Sequence, residues 1–166
     1  MTNKINKYRI AHHASELKYN ENLSKIAYKS GKRIFEEMNF LYSNSTYNGK
    51  ILGENFFYCN TLDSKSCLNS YDIPKFWYEE YYKFCFNTKV FNTTSNRNFI
   101  TMIWKESTSI GCSIIYKRFF GQIDSYLVVC EFYPGPHPSL GASYEQITMN
   151  IIDRDDNEKM KNLYPC

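Results

Sequence analysis

The spacing of apolar side chains predicts two amphipathic helices in the first half of the chain. From Asn20 onward, apolar residues recur every three or four positions, which is the period of a helix that buries one face. A second helix begins at Ile73, because Pro74 suits the first turn of a helix. The predicted buried positions are Leu23, Ile26, Ala27, Ile34, Met38 and Leu41 in the first helix, and Ile73, Phe76, Trp77, Tyr81 and Phe84 in the second. Polar residues predict one loop over 43–53 and another that holds Cys59 and Cys67.

The second half of the chain predicts a short helix followed by two paired strands. The helix spans 99–104, and the strands span 112–117 and 126–132 with a turn around 121–124. Pro134 ends the second strand, because proline cannot donate to a strand ladder. Apolar residues occupy both faces of 126–132, so helices should cover both sides of the sheet. This order of elements predicts an α+β fold, a three-layer α/β/α sandwich with a mainly antiparallel central sheet.

The composition favours one folded domain over residues 1–166. The 166 residues include 43% hydrophobic and 17% aromatic side chains, which excludes disorder of the whole chain. No internal repeat or linker divides the sequence. No run approaches the roughly 18 apolar residues of a membrane-spanning helix, so we expect no membrane span.

The net charge of +3 is small, but the positive charge is concentrated near the N-terminus. Residues 1–33 contain Lys4, Lys7, Arg9, Lys18, Lys25, Lys29, Lys32 and Arg33. A basic first helix could contact anionic surfaces or glycans, and the alternative is a solvated helix face. No dense run of Lys and Arg occurs, so we expect no nucleic-acid partner.

The cysteine pattern favours an oxidising compartment. The six cysteines are Cys59, Cys67, Cys85, Cys112, Cys130 and Cys166, and no two form a C-x-x-C pair. An even number of scattered cysteines fits a disulfide framework better than a zinc ribbon. Three N-x-S/T sequons, at Asn22, Asn44 and Asn92, agree with a secreted, extracellular protein whose leader has been replaced. The alternative is a cytosolic protein with free thiols.

Two glutamates are the candidates for chemistry. Glu80 lies on the apolar face of the second helix, where a carboxylate must be paired, hydrogen-bonded or neutralised. Glu54 lies between a polar loop and an aromatic run, and is either a turn residue or a functional one. We expect His12 and His13 to have packing or capping roles, and His137 to lie on the surface. No nucleophile elbow, P-loop or H-E-x-x-H motif occurs, so nothing in the sequence supports an enzyme.

Taken together, these segments resemble the CAP superfamily of cysteine-rich secretory, antigen 5 and pathogenesis-related proteins, and nematode venom-allergen-like proteins in particular. The collinear matching stretches are Arg9-Ile-Ala-His12, Leu52-Gly53-Glu54-Asn55, Trp77-Tyr78-Glu79-Glu80, Asn98-Phe99-Ile100-Thr101-Met102-Ile103-Trp104 before Gly111-Cys112, and Val129-Cys130-Glu131-Phe132-Tyr133-Pro134. The resemblance implies an α/β/α sandwich with a large open cleft.

In many members of this family, two glutamates and two histidines face the cleft and can hold a divalent metal, often zinc. Glu54 and Glu80 match the glutamates, whereas Tyr42 and Asn98 stand at the histidine positions. Only oxygen donors then remain, so we expect no tight zinc site and no cofactor. Two carboxylates without a cationic partner should repel, which raises the pKa of at least one. Tyr42 and Asn98 could hydrogen-bond these carboxylates instead.

The resemblance also bears on the disulfides. Cys112 and Cys130 resemble a family disulfide between neighbouring strands. The other four cysteines allow three pairings, of which Cys59–Cys67 with Cys85–Cys166 is one.

By resemblance, the chain is a secreted, non-enzymatic protein that binds a lipid, a sterol or a host extracellular partner. A parasite effector with an immunomodulatory role fits this group, and we expect a monomer or weak dimer. One alternative is a glycan- or receptor-binding module that uses the basic first helix. The other is a hydrolase in which Glu54 and Glu80 act as an acid–base pair.

Overall fold

A computed structural model describes residues 1–62, 66–84, 86, 95–119, 123–136 and 144–154. The helices are α1 (Thr2–Ala11), α2 (Glu21–Glu37), α3 (Ser66–Ser70), α4 (Ile73–Tyr78), α5 (Arg97–Ile103) and α6 (Tyr144–Asn150), and a 3-10 turn (Glu79–Lys83) follows α4. The strands are β1 (Lys18–Tyr19), β2 (Thr46–Tyr47), β3 (Lys50–Ile51), β4 (Gly53–Thr61), β5 (Ser109–Phe119) and β6 (Ile123–Tyr133).

The central sheet has the strand order β1-β5-β6-β4 and is mainly antiparallel. Only β1 runs parallel to its neighbour, while β6 pairs antiparallel with both β4 and β5. Helix α2 packs on one face of the sheet, against β5 and β6, and helices α1, α4 and α5 share the core on the other face. The predicted α/β/α sandwich is therefore confirmed.

Strand β6 shows why both faces of the sheet are apolar. Val128 and Phe132 belong to the core beneath α1, α4 and α5. Leu127 and Val129 belong to the smaller core beneath α2. Because successive side chains of a strand point to opposite faces, one strand supplies both cores.

Helix α2 is shorter than the apolar spacing predicts. Asn20 caps it, since its side chain accepts hydrogen bonds from the amides of Asn22 and Leu23. The helix ends at Glu37 because Met38 adopts a left-handed conformation with φ of 49°. Met38 and Leu41 are exposed, so their assignment to the buried helical face is wrong.

The second predicted helix also differs. It consists of α4 followed by the 3-10 turn, so the regular α-helix ends at Tyr78. Trp77, Tyr81 and Phe84 are buried as predicted, but Phe76 is 48% exposed and is not a core residue.

The region after residue 43 contains more strand structure than its polar composition suggests. The predicted loop holds the hairpin of β2 and β3, and β4 continues through Thr61. Cys59 therefore lies in a strand and not in a loop, because β4 pairs with β6 along its whole length.

The structure contains the Cys112–Cys130 disulfide, which joins directly opposed residues of β5 and β6. Cys59 is also disulfide-bonded. The side chain of Cys67, together with Cys85 and Cys166, lies outside the described residues, so the remaining pairing stays a prediction.

Arg9 is a structural residue and does not belong to a basic surface. Its side chain is fully buried in the layer beneath the sheet. Its guanidinium donates to the carbonyl oxygens of Met102, Trp104 and Ser107 at 2.8–3.0 Å, and its Nε donates to that of Ser15 at 2.8 Å. Arg9 therefore links α1 to the end of α5 and to the segment that follows it.

We predict that Arg9→Met lowers the free energy of unfolding by about 3–5 kcal/mol, because buried carbonyl groups lose their donors. Lys4→Met on the same helix is the control. Lys4 makes an exposed ion pair with Asp72, which is worth at most about 1 kcal/mol. Urea unfolding measures both variants, and equal losses would contradict the assignment.

His12 has the packing role expected of it. Its ring is buried between the carbonyl oxygen of Ile152, 2.7 Å from Nδ1, and the hydroxyl of Tyr78, 3.0 Å from Nε2. Burial lowers the pKa of His12 to about 4. His13 is exposed, and His137 lies outside the described residues.

We predict that stability falls as the pH drops from 6.5 to 4. In this range the unfolded chain protonates His12 while the folded chain resists it, so protons favour unfolding. The difference of about 2.5 pH units corresponds to about 3 kcal/mol. His12→Asn should lose this part of the pH dependence, whereas His13→Asn should keep it. Chemical unfolding at several pH values tests this, and parallel profiles for His12→Asn and the wild type would contradict it.

Candidate functional site

The four predicted cleft residues gather at the start of strand β4. Glu54 is the second residue of β4, and Tyr42 precedes the strand in the loop after α2. Glu80 lies in the 3-10 turn, and Asn98 lies in the first turn of α5. Tyr42 interacts electrostatically with both glutamates, and Asn98 contacts Glu80 directly. The fold therefore brings together side chains from four separate segments.

Glu80 is held by donors from α5. The Nδ2 of Asn98 donates to Oε1 at 2.7 Å, and the amide of Phe99 donates to Oε2 at 3.1 Å. Burial raises the pKa of Glu80, and these two hydrogen bonds oppose the rise. Asn98 thus has the hydrogen-bonding role that its position suggested.

Ser43 supplies two hydrogen-bond donors to Glu54. The side chain of Glu54 is 1% exposed. The amide of Ser43 donates to Oε1 at 3.2 Å, and the hydroxyl of Ser43 donates to Oε2 at 2.6 Å. All four carboxylate oxygens of Glu54 and Glu80 therefore accept hydrogen bonds from the protein itself.

Arg97 supplies a cation that the sequence analysis missed. It is the first residue of α5 and is 5% exposed. Its Cζ lies 3.0 Å from the centroid of the Tyr42 ring, a cation–π contact. Arg97 also interacts electrostatically with Glu54 and Glu80, and burial lowers its pKa. The expectation of two carboxylates without a cationic partner is therefore wrong.

Glu131 is a third buried carboxyl group that the sequence analysis did not single out as a site residue. It lies opposite Glu54 in the pairing of β4 with β6, and it is 0% exposed. Ser30 of α2 donates to its Oε1 at 3.1 Å. Burial raises the pKa of Glu131 well above its usual value, and the charge of Glu54 and a hydrogen bond to it raise it further. The available signal was an acidic residue within the mainly apolar run 126–132.

The cleft does not fit the metal that the family resemblance implies. Its potential ligands are oxygen atoms, whereas zinc prefers nitrogen and sulfur ligands. The positive charge of Arg97 also interacts electrostatically with both carboxylates. Within the described part of the chain, no group of three or more His, Cys, Asp and Glu residues is suited to hold a metal ion.

A separate groove lies alongside the second half of β4. It has a volume of about 470 Å³ and is lined by Phe57, Tyr58, Cys59, Asn60, Thr61, Ser70, Tyr71 and Phe76. The ring of Phe57 lies 5.2 Å from that of Tyr71 and 5.3 Å from that of Phe76. We call this the aromatic groove. Tyr71 and Phe76 are both about half exposed, so their rings are available to a ligand.

The fold and the cleft positions define a CAP-type domain, and comparison with known proteins agrees. Residues 2–132 match the profile of CAP, the Cysteine-rich secretory protein family. The chain therefore belongs to the CAP family. No curated protein matches the sequence significantly. No helix among the described residues is both long and apolar enough to cross a membrane.

Solved structures of several relatives share the fold. The hookworm platelet inhibitor is 20% identical with a TM-score of 0.59, over 92% of this chain and 72% of that one. The Schistosoma mansoni venom allergen-like protein 4 is 19% identical with a TM-score of 0.50, over 87% and 92% of the two chains. NaASP2, solved with Zn2+, is 15% identical with a TM-score of 0.51, over 92% and 81%. At these identities, the likeness concerns the fold alone.

We predict that Glu131→Gln stabilises the protein increasingly as the pH rises above about 4.5. The folded state holds the Glu131 proton more tightly than the unfolded state, so the wild type loses stability as the pH rises through this range. A neutral glutamine does not titrate and can still accept from Ser30. The measurement is the free energy of unfolding from pH 4 to 8, with Glu79→Gln at an exposed position as the control. A difference from the wild type that does not change with pH would contradict the prediction.

Proposed function

We propose that this chain is a secreted, non-enzymatic protein of the venom-allergen-like kind, and that its single domain over 1–166 binds a lipid or sterol in the aromatic groove. The observation that carries the proposal is the cluster of Phe57, Tyr71 and Phe76, with two of the rings half exposed around a preformed groove.

The dimensions and lining of the groove suit an apolar ligand with a polar end. Its volume of about 470 Å³ lies in the range of small-molecule pockets. Burying apolar area there contributes about 25 cal/mol per Å². Asn60, Thr61 and Ser70 also line the groove and can hydrogen-bond a hydroxyl or carboxyl group.

The state of the cleft supports the non-enzymatic part of the proposal. A hydrolase that used Glu54 and Glu80 would need carboxyl groups that reach substrate and water, but Glu54 is only 1% exposed. Here, each oxygen of those groups already accepts a hydrogen bond from Ser43, Asn98 or Phe99. The cleft is therefore better suited to holding the fold than to turnover.

Two further observations support a role outside the cell. The Cys112–Cys130 disulfide suits an oxidising compartment. A hookworm platelet inhibitor and a Schistosoma mansoni venom allergen-like protein share the fold, which supports the hypothesis of an immunomodulatory parasite effector with a host partner. The glycan- or receptor-binding alternative is weakened, because the buried Arg9 is not part of the basic surface.

We predict that the wild type binds cholesterol or a fluorescent fatty acid, and that Phe76→Ser weakens binding about tenfold or more, since a buried phenylalanine contributes about 1.5–3 kcal/mol. Tyr28→Ser is the control, because Tyr28 is a similarly exposed aromatic residue on α2 and does not line the groove. Equilibrium titration with each ligand measures the affinity. No binding by the wild type, or equal weakening by both variants, would contradict the proposal.

A further inference from the structure

The proposed function does not explain what balances the negative charge of Glu54 and Glu80 in the cleft. We propose that the guanidinium of Arg97 is a built-in cation that replaces the divalent metal of the cleft, so that the cleft admits a metal only when Arg97 is removed.

Arg97 lies among the residues at the cleft positions. Its guanidinium lies 3.0 Å from the ring centroid of Tyr42, and Tyr42 occupies one of the two positions at which the family resemblance implies histidine. The next residue along the chain, Asn98, occupies the other. Arg97 is 5% exposed, so its charge lies inside the protein and not at the mouth of the cleft. The cation is thus located among the residues that correspond to metal ligands.

The positive charge of Arg97 compensates the negative charge of the two glutamates. Glu54 is almost completely buried and Glu80 is largely so, and a buried carboxylate is costly without a compensating charge or proton. Arg97 interacts electrostatically with both of them. An arginine remains charged at any physiological pH, so the compensation does not depend on proton or metal supply. A divalent ion beside the guanidinium would add like-charge repulsion.

The carboxylate oxygens of Glu54 and Glu80 already have hydrogen-bond partners in the protein. Ser43, Asn98 and the amide of Phe99 already donate to the four carboxylate oxygens. A metal would have to share these oxygens with their donors and bind beside the charge of Arg97. Once Arg97 is gone, the excess negative charge favours a hard cation such as Ca2+, because the potential ligands are carboxylate and amide oxygens.

The experiment compares the melting temperatures of the wild type, Arg97→Met and Arg97→Lys, in EDTA and in about 10 mM CaCl2, which saturates a weak extracellular calcium site. Arg97→Met keeps the length of the side chain but removes its charge. We expect it to melt about 10 °C below the wild type in EDTA. We expect CaCl2 to restore about 5 °C of that loss and to leave the wild type unchanged.

Two controls separate the cleft from general effects. Arg33→Met removes an exposed arginine of α2 that pairs with Glu37, so it should neither lower the melting temperature comparably nor respond to CaCl2. Adding Glu80→Gln to Arg97→Met should remove the response to CaCl2, because one of the two carboxylates is then neutral.

Arg97→Lys keeps the proposal testable if Arg97→Met does not fold. A lysine retains the positive charge, so this variant should fold and, like the wild type, show no response to CaCl2. The proposal is overturned if the wild type retains stoichiometric zinc through dialysis or gains stability in CaCl2. It is also overturned if Arg97→Met melts with the wild type or shows no gain in CaCl2, or if Arg97→Lys gains as much as Arg97→Met.

Discussion

Two glutamate side chains are fully buried and a third is partly buried at one end of the central sheet, and the removal of their carboxyl groups from water is the constraint that the surrounding structure satisfies. Glu54 and Glu131 are 1% and 0% exposed, and burial raises the pKa of Glu80. Each carboxyl group takes its partners from a different part of the fold. Ser30 joins α2 to β6 and Ser43 joins the preceding loop to β4, whereas Asn98 joins α5 to the 3-10 turn.

This cluster requires helix α2 to lie very close to the sheet. The hydroxyl of Ser30 can reach Glu131 only if the helix approaches β5 and β6 closely. Gly111 permits that approach, since a Cβ at this position would lie 2.2 Å from the backbone nitrogen of Ser24. Gly111 is also the residue of β5 that pairs with Glu131. Gly111 and Glu131 therefore both belong to the close contact between α2 and the sheet.

The sequence predicted the layered fold and part of the site, and the reasons for its failures are physical. Periodicity and turn residues identified β5, β6 and α5, because these elements depend on local spacing. The direction of the Arg97 side chain depends on the path of the loop that holds Tyr42, which no local pattern encodes. Glu131 meets Glu54 only through the register of β4 against β6. Met38 lies outside the helix because its φ angle is positive, in the left-handed region.

A metal held by histidines and a guanidinium stacked on a tyrosine are alternative solutions to the same electrostatic problem, since both place positive charge beside two buried carboxylates. The metal and the guanidinium differ in the chemistry that they allow. A metal can exchange and can activate water, whereas the guanidinium is covalently part of α5 and cannot leave. Strand β4 carries a closed polar end at Glu54 and an open aromatic groove around Phe57, and the open groove is where we propose that a ligand binds.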